Sequence, residues 1–200
     1  MPHADSSLVP SGLSKSQFWE HLHGQVVSLL EGQTSWVSNL SNVSSIVYHS
    51  LMAYEKFSMT DTGPVVNWCG FYLDSCLFPP NSKLPTDATE DGPKTLLLGP
   101  FCGKPACQFI RVKEGGGVCA DGYHFRETLV VPDVDAYPGH IACDGDTRSE
   151  IVLPMKLPGN SGDIILGVMD LDSVVLAAFA DEDAKGLQRI VDTTVAMSKW

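Results

Sequence analysis

Glu150-Ile-Val-Leu-Pro-Met-Lys-Leu-Pro-Gly-Asn-Ser-Gly-Asp-Ile-Ile-Leu-Gly-Val-Met-Asp-Leu-Asp172 holds two apolar runs around a turn-forming segment. Glu150 to Met155 and Ile164 to Asp172 have the length and composition of buried strands. The Leu157–Asp163 connection makes them an antiparallel hairpin. Moving toward the N-terminus, Asp133 to Ser149 reads as a long loop with Pro138, Gly139 and Gly145. Glu127 to Val131 reads as a strand ended by Pro132, and Cys107 to Val112 as one broken by Gly115–Gly117. Thr95 to Leu98 is a short strand, and Val65 to Leu73 a longer aromatic and β-branched one. Between them, residues 76–94 are rich in Pro, Asp, Thr and Ser and read as a surface insertion. Helical spacing of apolar residues predicts one helix over Ser14–Leu30 and a second over about Ser35–Tyr54. A last helix begins near Asp181, an expected N-cap, with Leu187, Ile190, Val191 and Val195 on its inner face. Residues 1–13 read as a loose tail and 14–200 as a single domain. Helices at both ends of a mainly antiparallel sheet make an α+β layout.

Composition narrows the function. The chain has 200 residues, of which 44% are hydrophobic and 18% charged, a globular rather than disordered balance. Lys and Arg number 13 against 24 Asp and Glu, for a net charge of −11. That leaves little from which to build a face for nucleic acid or an anionic membrane. No stretch approaches the ~20 apolar residues of a membrane helix. Met1-Pro2-His3-Ala4-Asp5 does not open a secretory signal, which points to a cytoplasmic or nuclear location. The N-x-S/T triplets at Asn39 and Asn42 are then chance matches.

Six cysteines in a chain of this size suit catalytic or redox work better than a disulfide framework. Cys107, Cys119 and Cys143 lie in Gly- and Pro-bounded segments, where a thiol can be exposed and mobile; the alternative is buried, inert cysteines. Cys69 sits within a strand and reads as core. With no C-x-x-C pair, and only His140 and Cys143 close together, neither a metal nor another cofactor is expected. Cys143 has His140 and Arg148 nearby to favour a thiolate, and Asp144 and Asp146 to oppose it. Asp170 and Asp172 are two apart on a strand and share a face, and Glu150 opens the neighbouring strand. Three carboxylates on one apolar face suit an amine, a metal ion or a retained proton. Trp68 and Tyr72 share a strand face and suit the wall of a pocket for a soft, apolar group. Gly115–Gly117 lacks the Lys-Ser/Thr of a phosphate loop.

Further blocks carry a resemblance. Asn67-Trp-Cys-Gly-Phe-Tyr72, Leu98-Gly-Pro-Phe-Cys-Gly-Lys-Pro-Ala-Cys-Gln108 and Gly117-Val-Cys119 occur in order. They are followed by Val131-Pro-Asp-Val-Asp-Ala-Tyr-Pro-Gly-His-Ile-Ala-Cys-Asp-Gly-Asp-Thr-Arg-Ser-Glu-Ile151 and Gly167-Val-Met-Asp-Leu-Asp172. Together, over roughly residues 15–198, they resemble the free methionine-(R)-sulfoxide reductases, single GAF domains. The resemblance implies a six-stranded antiparallel sheet flanked by N- and C-terminal helices, with a closed pocket for a free amino acid. It implies Cys143 as the attacking cysteine, with Cys107 and Cys119 both able to resolve it. It implies that Glu150, Asp170 and Asp172 hold the sulfoxide oxygen and the amine, and that Trp68 and Tyr72 surround the substrate methyl. Thioredoxin is the implied reductant, and a homodimer is compatible with the family. The chain departs from the family pattern at Cys119-Ala-Asp-Gly-Tyr-His-Phe125 and in the longer Cys107–Cys119 segment. The competing readings are a non-catalytic GAF sensor and a cysteine hydrolase using Cys143 and His140. The three retained family cysteines favour the reductase, and a hydrolase would need an oxyanion hole and an orienting group.

Overall fold

The computed structural model describes residues 9–57, 60–61, 63–79, 94–140, 144–160 and 162–200. Two helices come first, α1 (Lys15–Leu30) and α2 (Trp36–Ala53). Strands β1 (Val66–Asp74), β2 (Thr95–Gly103) and β3 (Phe109–Arg111) follow, then helix α3 (Val118–Phe125). Strands β4 (Leu129–Val131), β5 (Ser149–Leu157) and β6 (Ile164–Ser173) lead to helix α4 (Asp181–Ala196). The strands form one antiparallel sheet in the order β3-β2-β1-β6-β5-β4. The β5–β6 hairpin read from the sequence is present, with Leu157 paired to Ile164. No helix among the described residues is long and apolar enough to cross a membrane.

Every residue of β1 is buried because both faces of the sheet are covered. Cys69, Phe71 and Leu73 join Met169, Leu171, Ile151 and Leu153 against the helices. There they meet Leu40, Val43 and Val47 of α2 and Leu187, Ile190 and Val191 of α4. The alternate residues Trp68 and Tyr72 pack on the opposite face with Val118, Cys119, Val152 and Val168. Period-two alternation therefore separates a helix-side core from a smaller cluster that surrounds a cavity.

Helix α1 starts with a capping box, in which Ser14 accepts from the Gln17 amide and Gln17 accepts from Ser14. It is fixed to α4 through Asp183, whose side chain is fully buried. Asp183 accepts from the Trp19 indole at 2.9 Å and pairs with Lys15 at 2.6 Å. It also caps the Ala180 amide, so Ala180 is the N-cap of α4 and Asp181 its first helical residue, one place on from the sequence expectation. Gly186 lets the Trp19 ring approach, since a Cβ there would stand 2.2 Å from Cγ. Trp19→Phe should cost about 2 kcal/mol, the worth of a hydrogen bond to a charged acceptor. Chemical denaturation would show it as a lower midpoint with unchanged slope.

The remaining differences have local causes. β2 runs to Gly103 rather than stopping at Leu98. Its pairing jumps from Tyr72↔Leu98 to Gly70↔Phe101, so a bulge accommodates Gly99 and Pro100, whose missing N–H needs no partner there. Helix α3 is not visible in the periodicity because Asp121 and Gly122 interrupt it with poor helix formers. Gly122 is required by packing, since a Cβ would lie 2.6 Å from Val152 Cγ1. Most of the expected 76–94 insertion lies outside the described residues, as do residues 1–8. Ser75–Leu77 forms a 3₁₀ turn capped by Asp74, and Leu13 of the expected tail is tied down where its carbonyl accepts from the Tyr54 hydroxyl.

Candidate active site

The register of the three central strands assembles the site. Trp68 on β1 pairs with Asp172 on β6, and Asp172 pairs with Glu150 on β5. The next row of the same face is Gly70, Asp170 and Val152. An indole and three carboxyls thus line one end of a cavity of about 560 Å³, roofed by α3 and the loops beside it. Val118 and Cys119 of α3, Cys107, Thr147 and His140 also face this space. All five of the pocket residues expected from the sequence, Trp68, Tyr72, Glu150, Asp170 and Asp172, line it.

Trp68 is the centre of an aromatic stack, 5.8 Å from Tyr72 and 5.6 Å from Phe101 between ring centroids. Gly70 makes this possible. A Cβ there would come within 2.6 Å of Trp68 Cη2 and 2.3 Å of Phe101 Cβ. Tyr72 is oriented by its hydroxyl, which donates to the Cys107 carbonyl at 3.0 Å. Three buried polar atoms lining the cavity make no hydrogen bond with the described residues: Trp68 Nε1, Thr147 Oγ1 and Asp170 Oδ1. One is a donor, one an acceptor, and the threonine can be either. Buried polar groups are costly when unmade, so these three are suited to a polar ligand.

Burial sets the protonation of the acidic row. It pushes the Glu150 carboxyl up to about 7, with Asp172 adding to the rise and His140 opposing it. His140 Nε2 lies 3.5 Å from Glu150 Oε2. Asp170 and Asp172 are likewise raised well above the ordinary carboxyl range, first by burial and then by neighbouring carboxylates. A dry cluster of this kind keeps protons near neutral pH unless a cation enters it. Cys119 Sγ and one oxygen each of Glu150 and Asp170 lie within 4.8 Å of one another, so a metal ion could share them once they were deprotonated.

The cysteines separate into distinct environments. Cys107 is disulfide-bonded. Cys119 is free and only 7% exposed, the buried rather than the exposed of the two environments open to it from the sequence. It sits on α3 rather than in a loop, and its thiol donates to Glu150 Oε1 at 3.8 Å. Burial and the surrounding carboxylates push the Cys119 thiol up. Cys143 lies outside the described residues. Arg148 pairs with exposed Asp135 at 2.9 Å. Lys104 instead bridges Asp144 at 2.8 Å and Asp146 at 2.7 Å, and Asn67 donates to Asp144 at 2.9 Å. The Lys104 hydrogen bond holds the Asp144 carboxyl low. The two acidic residues following Cys143 are therefore compensated by a lysine far away in sequence.

The roof is held by Asp121, which accepts from the Gly115 amide and the Tyr137 hydroxyl, both at 2.8 Å. Gly139, at φ +76°, packs where a Cβ would meet the Gly115 carbonyl at 2.2 Å. The glycine run 115–117 and the segment leading to His140 are thus joined through one buried carboxylate. Asp121→Ala removes the acceptor shared by both donors and should cost about 1–3 kcal/mol, visible as a lowered thermal midpoint.

No family model matches the chain. Individual relatives do. The free methionine-R-sulfoxide reductase of Saccharomyces cerevisiae is 41% identical over 188 residues, covering 94% of this chain and 89% of its own length. The chain belongs to the free methionine-R-sulfoxide reductase family. A solved GAF-domain structure is 36% identical, covers 100% of this chain and 98% of its own, and superposes with a TM-score of 0.78. The X-ray structure of the Neisseria meningitidis free methionine-R-sulfoxide reductase in complex with its substrate is 31% identical, covering 95% of this chain and 93% of that one, with a TM-score of 0.72. The α+β GAF fold expected from the sequence is therefore the fold of this member of the reductase family. Phe101, Thr147, Lys104 and Asp121 are the contributors that sequence reasoning missed. Phe101 and Lys104 lie close to Cys102 in the chain, but nothing local shows which way they face.

Proposed function

We propose that this chain reduces free L-methionine-(R)-sulfoxide to methionine. The observation that carries the reading is the row Trp68–Asp172–Glu150 beneath an aromatic wall, beside the three polar atoms left without a partner among the described residues. A methionine sulfoxide offers matching groups: a cationic amine for raised carboxyls, a polar S–O for a proton donor, and a methyl for the Trp68–Tyr72 surface. A sulfoxide within a peptide has no free amine and carboxylate to place here, so specificity for the free amino acid follows.

In this reading the Cys143 thiolate attacks the sulfoxide sulfur as Glu150 protonates the oxygen. As the S–S contact and the substrate S–O bond break, the protonated oxygen passes to the Cys143 sulfur, so methionine leaves, Cys143 carries the oxygen as a sulfenic acid and Glu150 is left as a carboxylate. The substrate sulfur gains two electrons and Cys143 loses two. A second thiol then condenses with the sulfenic acid, releasing water and forming a disulfide before further oxidation. Cys107 is favoured for that role. It is disulfide-bonded, whereas Cys69, Cys76, Cys102 and Cys119 are free thiols. Cys119 serves as a buried hydrogen-bond partner of Glu150. A thioredoxin-type dithiol would return the disulfide to thiols by exchange. Residues 14–200 act as one unit in this scheme, since the site draws on β1, β5, β6 and α3 together.

The test is NADPH consumption in a thioredoxin-coupled assay with the free (R) epimer, the free (S) epimer and a peptidyl sulfoxide. Turnover of the free (R) form alone is expected. Equal use of the peptidyl sulfoxide, or no turnover by folded, reduced protein, would overturn the proposal.

A further inference from the structure

Cys69 and Cys102 are direct partners across the β1–β2 ladder, and both are free thiols. Residues directly opposite in an antiparallel pair project to the same face, with Cα atoms about 4.5–5.5 Å apart. A disulfide spans Cα separations of about 4.4–6.8 Å, so this pair can close without moving either strand far. The shared face is the helix side. Cys69 lies in the core with Phe71 and Leu73, and Cys102 stands opposite it on the same face. Burial pushes the Cys102 thiol up, and Ser45 of α2 opposes that rise. Their strand neighbours Trp68 and Phe101 stack on the opposite face, by the cavity, so the two thiols stand apart from the proposed chemistry.

We propose that Cys69 and Cys102 form a second redox-active dithiol, oxidised to a cross-strand disulfide by peroxide. Cys102 is half-buried and Cys69 fully buried, which sets the order of events. The Cys102 thiolate attacks the O–O bond of hydrogen peroxide, an S–O bond forms, and hydroxide leaves to take up a proton as water. The Cys69 thiol then attacks the resulting sulfenic acid, the S–O bond breaks, and a second water leaves as the disulfide forms. Peroxide gains two electrons and the two thiols lose two. The bond would fasten β2 to β1 just before Lys104, the residue that holds Asp144 and Asp146. The inference does not depend on the reductase reading.

The experiment uses the full chain as wild type and as a Cys107→Ser, Cys143→Ser double variant, each reduced, exposed to hydrogen peroxide, alkylated and digested. In both proteins, mass spectrometry is expected to find a peptide joining Cys69 to Cys102, two hydrogens lighter than its reduced parts and lost again on treatment with dithiothreitol. Cys102→Ser should abolish the linked peptide while leaving sulfoxide turnover within about twofold. Cys69→Ala provides the same loss from the other side should Cys102→Ser fold poorly. Recovery of Cys102 as a sulfinic acid, or of both cysteines as alkylated thiols at peroxide levels that fully oxidise Cys107 in the wild type, would overturn the proposal.

Discussion

Cys143→Ser is expected to reduce turnover of free methionine-(R)-sulfoxide to the uncatalysed level. A serine hydroxyl is not ionised near neutral pH and cannot carry the oxygen away as a sulfenic acid, so both halves of the proposed step fail. The other cysteines should respond differently. Cys107→Ser should give a burst of one methionine per chain and then stall, because oxidised Cys143 lacks its partner. Cys119→Ser should retain multiple turnovers, since this thiol is buried against Glu150 and held protonated. Methionine released per chain, counted by amino-acid analysis with and without thioredoxin, separates the three. Wild-type turnover by Cys143→Ser would remove the nucleophile assignment. A stalled Cys119→Ser beside a recycling Cys107→Ser would exchange the two resolving roles.

The parts of the site that the sequence makes legible are those governed by short periods. Asp170 and Asp172 share a face because strand side chains alternate, and Glu150 joins them because a tight hairpin sets the β5–β6 register. Trp68 and Tyr72 share a face by the same rule. What escapes is whatever depends on a long closure. Lys104 reaches Asp144 and Asp146 across forty residues, and no local pattern announces it. Phe101 enters the stack only because a bulge at Gly99 and Pro100 resets the pairing of β2. The burial of Cys119 depends on α3, a helix held by packing of Gly122 on Val152 rather than by propensity. Glycine and aspartate read correctly as poor helix formers, but tertiary contact overrides them here.

Glu150→Gln is expected to lower kcat by about 10²–10⁴-fold, the range for loss of a positioned proton donor. Glutamine keeps the shape and an acceptor oxygen for the Cys119 thiol but has no acid proton to give. Asp170 and Asp172 remain to receive the amine, so KM should move much less than kcat. The wild-type rate should fall as pH rises through about 7, where Glu150 loses its proton, and the variant should lack this limb. Stability should move the opposite way. The folded-state value is raised above the ordinary 4.5, so the folded chain holds a proton that the unfolded chain releases between about 4.5 and 7. Glu150 therefore supports folding most below 4.5, and that contribution is lost as pH rises to about 7. Glutamine cannot ionise and escapes the loss, so at pH 8 the variant without substrate should be more stable than wild type, on the order of 1–3 kcal/mol. A chain both firmer and slower would identify the raised carboxyl as a feature retained at the expense of stability. Full kcat with an unchanged pH profile would transfer the proton to Asp170 or Asp172, the two other carboxyls raised by the same burial.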